Sequence, residues 1–114
     1  MSILTEKPWG YEDLIENNNR YVVKKLFMKK GYRCSLQYHN KKKETIYILE
    51  GKLRILNEAK DGSFSSDHDY VPGQHITIEP GNTHRMTAIE DSLYLEASTP
   101  ELDDVVRVED DYGR

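Results

Sequence analysis

The chain has 114 residues, 37% of them hydrophobic and 32% charged, with a formal net charge of -4 and a mean hydropathy of -0.78. That length supports one compact domain, and eight Tyr, two Phe and one Trp are too many for a disordered chain. No apolar run approaches the roughly 20 residues a membrane helix needs, and the single Cys34 excludes an internal disulfide or a multi-cysteine metal site.

The first residues, Met1–Glu6, lack the charged and apolar regions of a signal peptide, so a cytoplasmic location is expected. An arm at 1–10 is anchored by Trp9 after Pro8. Turn signals then punctuate the chain at Asn17-Asn18-Asn19, Lys30-Gly31, Glu50-Gly51, Asp61-Gly62, Pro72-Gly73, Pro80-Gly81 and Glu90-Asp91. Between them lie runs rich in Val, Ile, Tyr and Thr: Tyr21–Met28, Thr45–Leu49, Leu53–Leu56, Gln74–Ile78 and Leu93–Leu95, with a further strand expected at His84–Ala88. Helical periodicity is missing from every window of ten residues or more. The expectation is an all-β domain of about eight to ten strands, a small sandwich or barrel. It covers 1–114, with an acidic tail at 101–114.

Charge is unevenly placed. Arg20–Lys60 holds twelve basic residues against three acidic ones, a local balance of +9, while Glu101–Arg114 holds six acidic against two basic, a balance of -4. A basic middle suits an anionic small molecule or the chain's own tail. The tail itself reads as loose, or as packed across the barrel or a neighbouring subunit. A pI near 5.5 and the lack of a recognition motif argue against nucleic acid.

Four side chains have metal-ligand chemistry. Gln37 and His39 stand at i and i+2, which a strand points to one face. A turn at 40–43 is expected to fold the strand Thr45–Leu49 back beside the first, setting Glu44 across from His39. His84 follows the Pro80-Gly81 turn. Two imidazoles, a carboxylate and an amide oxygen suit Zn²⁺, with Mn²⁺, Fe²⁺, Co²⁺ and Ni²⁺ open to the same set. Of the other candidates, His68 reads as an exposed hairpin residue, His75 as surface-facing and Cys34 as a small buried residue. Arg85 alternates with His84 and so points out of the barrel.

Gly31, five residues, Gln37-Tyr38-His39, four residues, Glu44, six residues and Gly51 resemble the first cupin motif; Gly73 and Pro80-Gly81-Asn82-Thr83-His84 resemble the second. Gln37 stands where most cupins have His, the proline is shifted by one place, and Ala88 replaces a common terminal Asn. Lys7-Pro8-Trp9-Gly10-Tyr11-Glu12, Ser35-Leu36-Gln37, Thr83-His84-Arg85 and Arg107 to Arg114 extend the match. Together they resemble the C-terminal isomerase domain of type II mannose-6-phosphate isomerase/mannose-1-phosphate guanylyltransferases.

That resemblance implies a jelly-roll-like cupin barrel with Gln37, His39, Glu44 and His84 around one divalent metal. It implies a metal-dependent sugar-phosphate aldose–ketose isomerase, and, by analogy with small cupins, a homodimer. Lys42 stands at the family's arginine position, and Lys42, Arg85 and Arg33 are the expected phosphate anchors. For proton transfer the candidates are Lys42, Glu96 and Tyr47, although an exposed strand-end carboxylate is the simpler reading of Glu96. Asn40, Lys41, Lys42, Thr45 and Ile46 all depart from the family segment. That departure favours a second reading, a catalytically silent cupin that binds a sugar or sugar phosphate. A third is an Fe²⁺ oxygenase on the His39, Glu44, His84 triad, against which Gln37 counts as a fourth ligand.

Overall fold

A computed structural model describes residues 3–113 of the chain. Among them are eleven strands and no helix: β1 (Ile3–Lys7), β2 (Gly10–Asn17), β3 (Val22–Met28), β4 (Leu36–Tyr38), β5 (Glu44–Glu50), β6 (Leu53–Glu58), β7 (Ser65–Tyr70), β8 (His75–Ile78), β9 (Thr83–Ala88), β10 (Ser92–Ser98) and β11 (Val106–Glu109). With no helix described, none is long and apolar enough to cross a membrane. The strands form two antiparallel sheets, ordered β1-β2-β3-β10-β5-β8 and β11-β4-β9-β6-β7. The strand total exceeds the sequence expectation because segments 3–7 and 106–109 also pair. Both carry charges that mask any alternation, and both sit at sheet edges.

The period-two alternation that makes these segments strands also builds the interior. On β3 the buried set is Val22, Lys24, Leu26 and Met28; on β5 it is Glu44, Ile46 and Ile48; on β10 it is Ser92, Tyr94, Glu96 and Ser98. The facing sheet contributes Leu53 and Ile55 from β6 with His84, Met86 and Ala88 from β9. Apart from Val22, the apolar members of both sets form one core cluster that also holds Trp9 and Cys34.

Register divides this interior in two. Tyr94 pairs with Leu26, but two residues on Glu96 pairs with Lys24 and Ser98 pairs with Glu44. The space between the sheets is therefore apolar at one end and charged at the other.

The 40–43 segment does not make the expected hairpin. β4 lies in one sheet beside β9 and β11, while β5 lies in the other beside β8 and β10. The turn carries the chain across the gap, so Glu44 approaches His39 from the opposite sheet. Alternation shows which face of a strand is buried, but not which sheet the strand joins. Two glycines hold the flanking geometry. Gly81 has φ +85°, and its N–H donates to the His39 carbonyl at 2.6 Å, tying the second motif to the first. Gly51, with φ +89°, packs where a Cβ would run into the backbone of Asp91 and Ser92.

Candidate metal centre

The centre sits where the two sheets meet at the charged end. His39 follows β4, Glu44 opens β5 and His84 lies on β9. One donor atom from each falls within 4.8 Å of the others, and all three residues are buried. Glu44 Oε1 is 3.3 Å from His39 Nε2 and 3.0 Å from His84 Nε2.

Backbone carbonyls orient both rings. His84 Nδ1 is 3.1 Å from the Asn82 carbonyl, and His39 Nδ1 is 2.5 Å from the Asp104 carbonyl. A carbonyl only accepts, so each Nδ1 carries the proton and each Nε2 presents a lone pair. Those lone pairs face the Glu44 carboxylate. The close contacts are accordingly not hydrogen bonds: Glu44 Oε1, Glu44 Oε2 and His84 Nε2 are buried without a hydrogen-bond partner. Three converging electron-pair donors with no proton between them are stable only around a cation. The separations also match coordination geometry. Bonds of about 2.0–2.1 Å give ligand–ligand edges of about 3.3 Å in a tetrahedron and about 3.0 Å in an octahedron. The residues present therefore fit a divalent metal.

Gln37 is placed next to this group but is not closed into it. Its Cα pairs with that of His84 across β4 and β9, which puts both side chains on one face. Its Oε1 accepts from the Ser35 hydroxyl at 3.2 Å.

A band of buried charge surrounds the centre. Lys42 Nζ lies 3.6 Å from Glu44 Oε2 and 3.3 Å from Glu96 Oε2, and Lys24 Nζ lies 3.1 Å from Glu12 Oε1. Burial raises the Glu96 carboxyl to about 8, helped by the negative Glu44 beside it. Burial also opposes ionisation of Glu44, while the Glu96 carboxyl and the Lys42 ammonium beside it favour the charged form. The Lys42 ammonium is raised: burial opposes the charge, and Glu96 and Glu44 more than compensate. A cavity of about 130 Å³ opens beside the band, lined by Gln37, His39, Lys42 and Glu96 among others.

Several expected site residues lie elsewhere. Arg85 is buried on the far face of β9, where its guanidinium donates to the carbonyls of Cys34 at 2.9 Å and Glu109 at 3.3 Å. Arg33 forms a two-point pair with Asp111 at 2.6 and 2.9 Å. Both arginines hold the tail, so neither reaches the cavity as an anchor. Tyr47 points outward from β5 and is 41% exposed, too far round the strand for proton transfer. Glu96 moves the other way: it is only 6% exposed and lines the cavity. The outward-facing neighbours Leu93 and Leu95 disguise this, because they make the opposite face of β10 look like the core.

His68 and His75 are exposed and Cys34 is buried, as their patterns indicated. Trp9 is buried in the core and also lines the cavity. Sequence reasoning missed Lys7, Glu12, Lys24, Tyr94 and Arg107, which line the same cavity. Lys24 had a usable signal, a lone lysine on the apolar face of Val22-x-Lys24-x-Leu26-x-Met28.

The model of the mannose-6-phosphate isomerase C-terminal family matches residues 3–110. The chain belongs to that family. Among its relatives, the mannose-1-phosphate guanylyltransferase ManC of Salmonella typhimurium is 32% identical over 112 residues, and the alginate biosynthesis protein AlgA of Pseudomonas aeruginosa is 29% identical over 112. Each match covers 95% of this chain but 22% of the relative, so this chain spans about a fifth of those proteins. Solved structures share the cupin fold at low identity. Oxalate decarboxylase from Bacillus subtilis superimposes with a TM-score of 0.84 at 17% identity, covering 94% of this chain and 30% of that one. KdgF from Halomonas sp. gives 0.77 at 16% identity, covering 89% and 90%. This family member is thus an all-β, jelly-roll-like cupin.

Proposed function

We propose that this cupin is a metal-dependent isomerase of a phosphorylated hexose, of the mannose-6-phosphate type. The observation that carries the reading is the triad of unprotonated donors, Glu44 Oε1 and two imidazole Nε2 atoms, buried beside a cation-lined cavity. His39, Glu44 and His84 would hold the metal, with Gln37 placed to complete the set. When bound, it supplies Lewis acidity that stabilises negative charge on the sugar oxygens. Zn²⁺ suits the donors, and Mn²⁺ is a second choice; one structure of the neighbouring oxalate decarboxylase is described by its Mn(II) centres.

The chain's own groups cover the rest of the reaction. An aldose–ketose conversion takes a proton from the carbon beside the carbonyl and returns it to the adjacent carbon. Glu96 is the carboxyl placed for that transfer, lining the cavity 3.3 Å from Lys42 Nζ. Lys42 then holds Glu96 and Glu44 in position instead of acting as the proton acceptor. For the phosphate, Lys7 and Arg107 replace Arg33 and Arg85 as anchors. Both line the cavity, and no ion pair engages either among the described residues.

A coupled assay with mannose 6-phosphate tests the proposal. Turnover that is abolished by a chelator and restored by one metal supports it. Metal binding with no turnover, and with hexose phosphate bound, would instead establish the silent-cupin reading, which the altered 40–46 segment favours. The relatives' guanylyltransferase activity is not proposed for this chain.

A further inference from the structure

We propose that Asp104, in the acidic tail, is a positioning residue that sets His39 for cation binding, so that tail docking and cation binding form one linked equilibrium. The inference rests on the metal reading above.

Asp104 grips the ligand loop at four points. Its backbone carbonyl faces His39 Nδ1 at 2.5 Å. Its carboxylate accepts the backbone N–H of Asn40 at 3.1 Å, of Lys41 at 2.7 Å and of Lys42 at 3.0 Å. These three N–H groups belong to the turn that carries the chain from one sheet to the other. One residue therefore fixes both the ring that offers a lone pair and the backbone leading to Glu44. Without a partner for Nδ1 the ring is free to rotate or to exchange tautomer, and an Nε2–H cannot ligate. His84 does not depend on the tail, because its Nδ1 partner is the carbonyl of Asn82, two residues back and just before its own strand.

The tail is well placed to act as a strap. Leu102, Val105 and Arg107 line the cavity around Asp104. Beyond it β11 pairs with β4, and Arg33 and Arg85 hold Glu109 and Asp111. A variant that loses only the Asp104 carboxylate keeps these attachments, so it is expected to fold. Thermodynamic linkage makes the coupling reciprocal: a cation that needs His39 oriented must also tighten the tail that orients it.

The test uses Asp104→Ala and Asp104→Asn with the neighbouring, exposed Asp103→Ala as control, each titrated with Co²⁺ as the probe. Asp104→Ala keeps the main-chain carbonyl that faces His39 but loses the three N–H contacts that clamp it to the ligand loop, so it is expected to raise the Co²⁺ Kd by about 10-fold, the low end of the scale for disturbing an outer partner of a ligating histidine. Asp104→Asn, which keeps one acceptor oxygen, is expected to fall between it and the parent, and Asp103→Ala to match the parent. ¹⁵N NMR of the metal-free proteins gives a second readout. His39 should be the Nδ1–H tautomer in the parent and a mixture in Asp104→Ala, while His84 stays unchanged. Amide exchange at residues 40–42 should slow when Co²⁺ binds the parent. A parent that binds Co²⁺ alongside an Asp104→Ala variant binding it equally well overturns this inference and leaves the metal reading intact. A parent that binds none overturns the metal reading itself. An Nε2–H tautomer at His39 in the parent refutes the positioning role even if a variant fails to fold.

Discussion

Replacing His84 by alanine removes one corner of the donor triad and leaves the rest of the molecule's cation-binding chemistry in place. The side chain is fully buried, with its Nε2 3.0 Å from Glu44 Oε1, so its loss takes a donor directly out of the group. A ligand that binds only the folded state stabilises it by RT ln(1 + [L]/Kd), about 2.7 kcal/mol at a hundredfold excess over Kd. If losing His84 weakens binding about a hundredfold, the same concentration yields only about 0.4 kcal/mol. For a chain of this size about 4 °C of melting temperature accompanies each kcal/mol. The parent should therefore gain about 11 °C and the variant about 2 °C. The assay is thermal unfolding of each protein with and without Zn²⁺, then Mn²⁺, alongside elemental analysis. Comparing shifts within each variant removes the packing cost of the truncation itself. The double variant His68→Ala/His75→Ala, altering two exposed histidines, should keep the full shift. Equal shifts in His84→Ala and the parent, or a shift that vanishes only in the surface double variant, would refute the site.

Lys42→Met leaves two buried carboxylates facing each other without their shared cation, at 3.3 and 3.6 Å from the vacated Nζ; the expected loss is about 3–5 kcal/mol in urea unfolding of the metal-free protein, and a loss below about 1 kcal/mol would show the pairs to be solvated. Gly51→Ala should cost more than Gly31→Ala in the same assay, because both need φ near +85–90° but only Gly51 has backbone in the way of a Cβ; the conformational part is about 1–2 kcal/mol for each, and equal costs would mean that the Asp91–Ser92 backbone yields freely. Burial pushes the Cys34 thiol up to about 11, so at pH 8 a disulfide reagent should label it slowly in the folded protein and rapidly in urea. Between about 9 and 11 the unfolded chain loses the thiol proton first, so this group makes stability fall as pH rises; fast labelling of folded protein at pH 8 would show the thiol to be accessible.

The grouping of His39, Glu44 and His84 was legible in the spacing of the sequence, whereas the route by which they come together was not. Gln37 and His39 share a face by strand periodicity, and Pro80-Gly81 marks a turn that returns His84 to them; both follow from local backbone rules. That Glu44 comes from the other sheet is a non-local fact, since a four-residue turn serves a hairpin and a crossing equally well. The inner face of β10 was hidden for a different reason. Leu93 and Leu95 are half-buried on its outer side, while Tyr94 and Glu96 face the interior. Reading the core from hydrophobicity selects the wrong side wherever the interior is itself a polar site. Arg85 shows the converse. Its alternation with His84 was right, but its burial under the tail depends on Glu109 and Cys34, residues remote in sequence.

The buried charges also shape the field that a sugar meets on the proposed reading. Glu12, Glu44 and Glu96 against Lys24 and Lys42 leave the metal-free cavity one negative charge in excess when all are ionised, and neutral when Glu96 holds its proton. Burying such a set costs stability that apolar side chains in the same positions would not, so its presence on otherwise alternating core strands points to a use beyond folding. A divalent cation at His39, Glu44 and His84 would turn the local balance positive, between one and two charges, before Lys7 and Arg107 at the same cavity are added. With Lys7 and Arg107 counted, the metal-free cavity is already positive by one to two charges and the cation would add two more, so an anionic sugar would meet a stronger field once the cation is in place, and a neutral sugar gains little from it. Lys7 and Arg107 come from β1 and β11, the first and last strands described, so residues remote in sequence line one cavity with Lys24, Lys42 and Glu96.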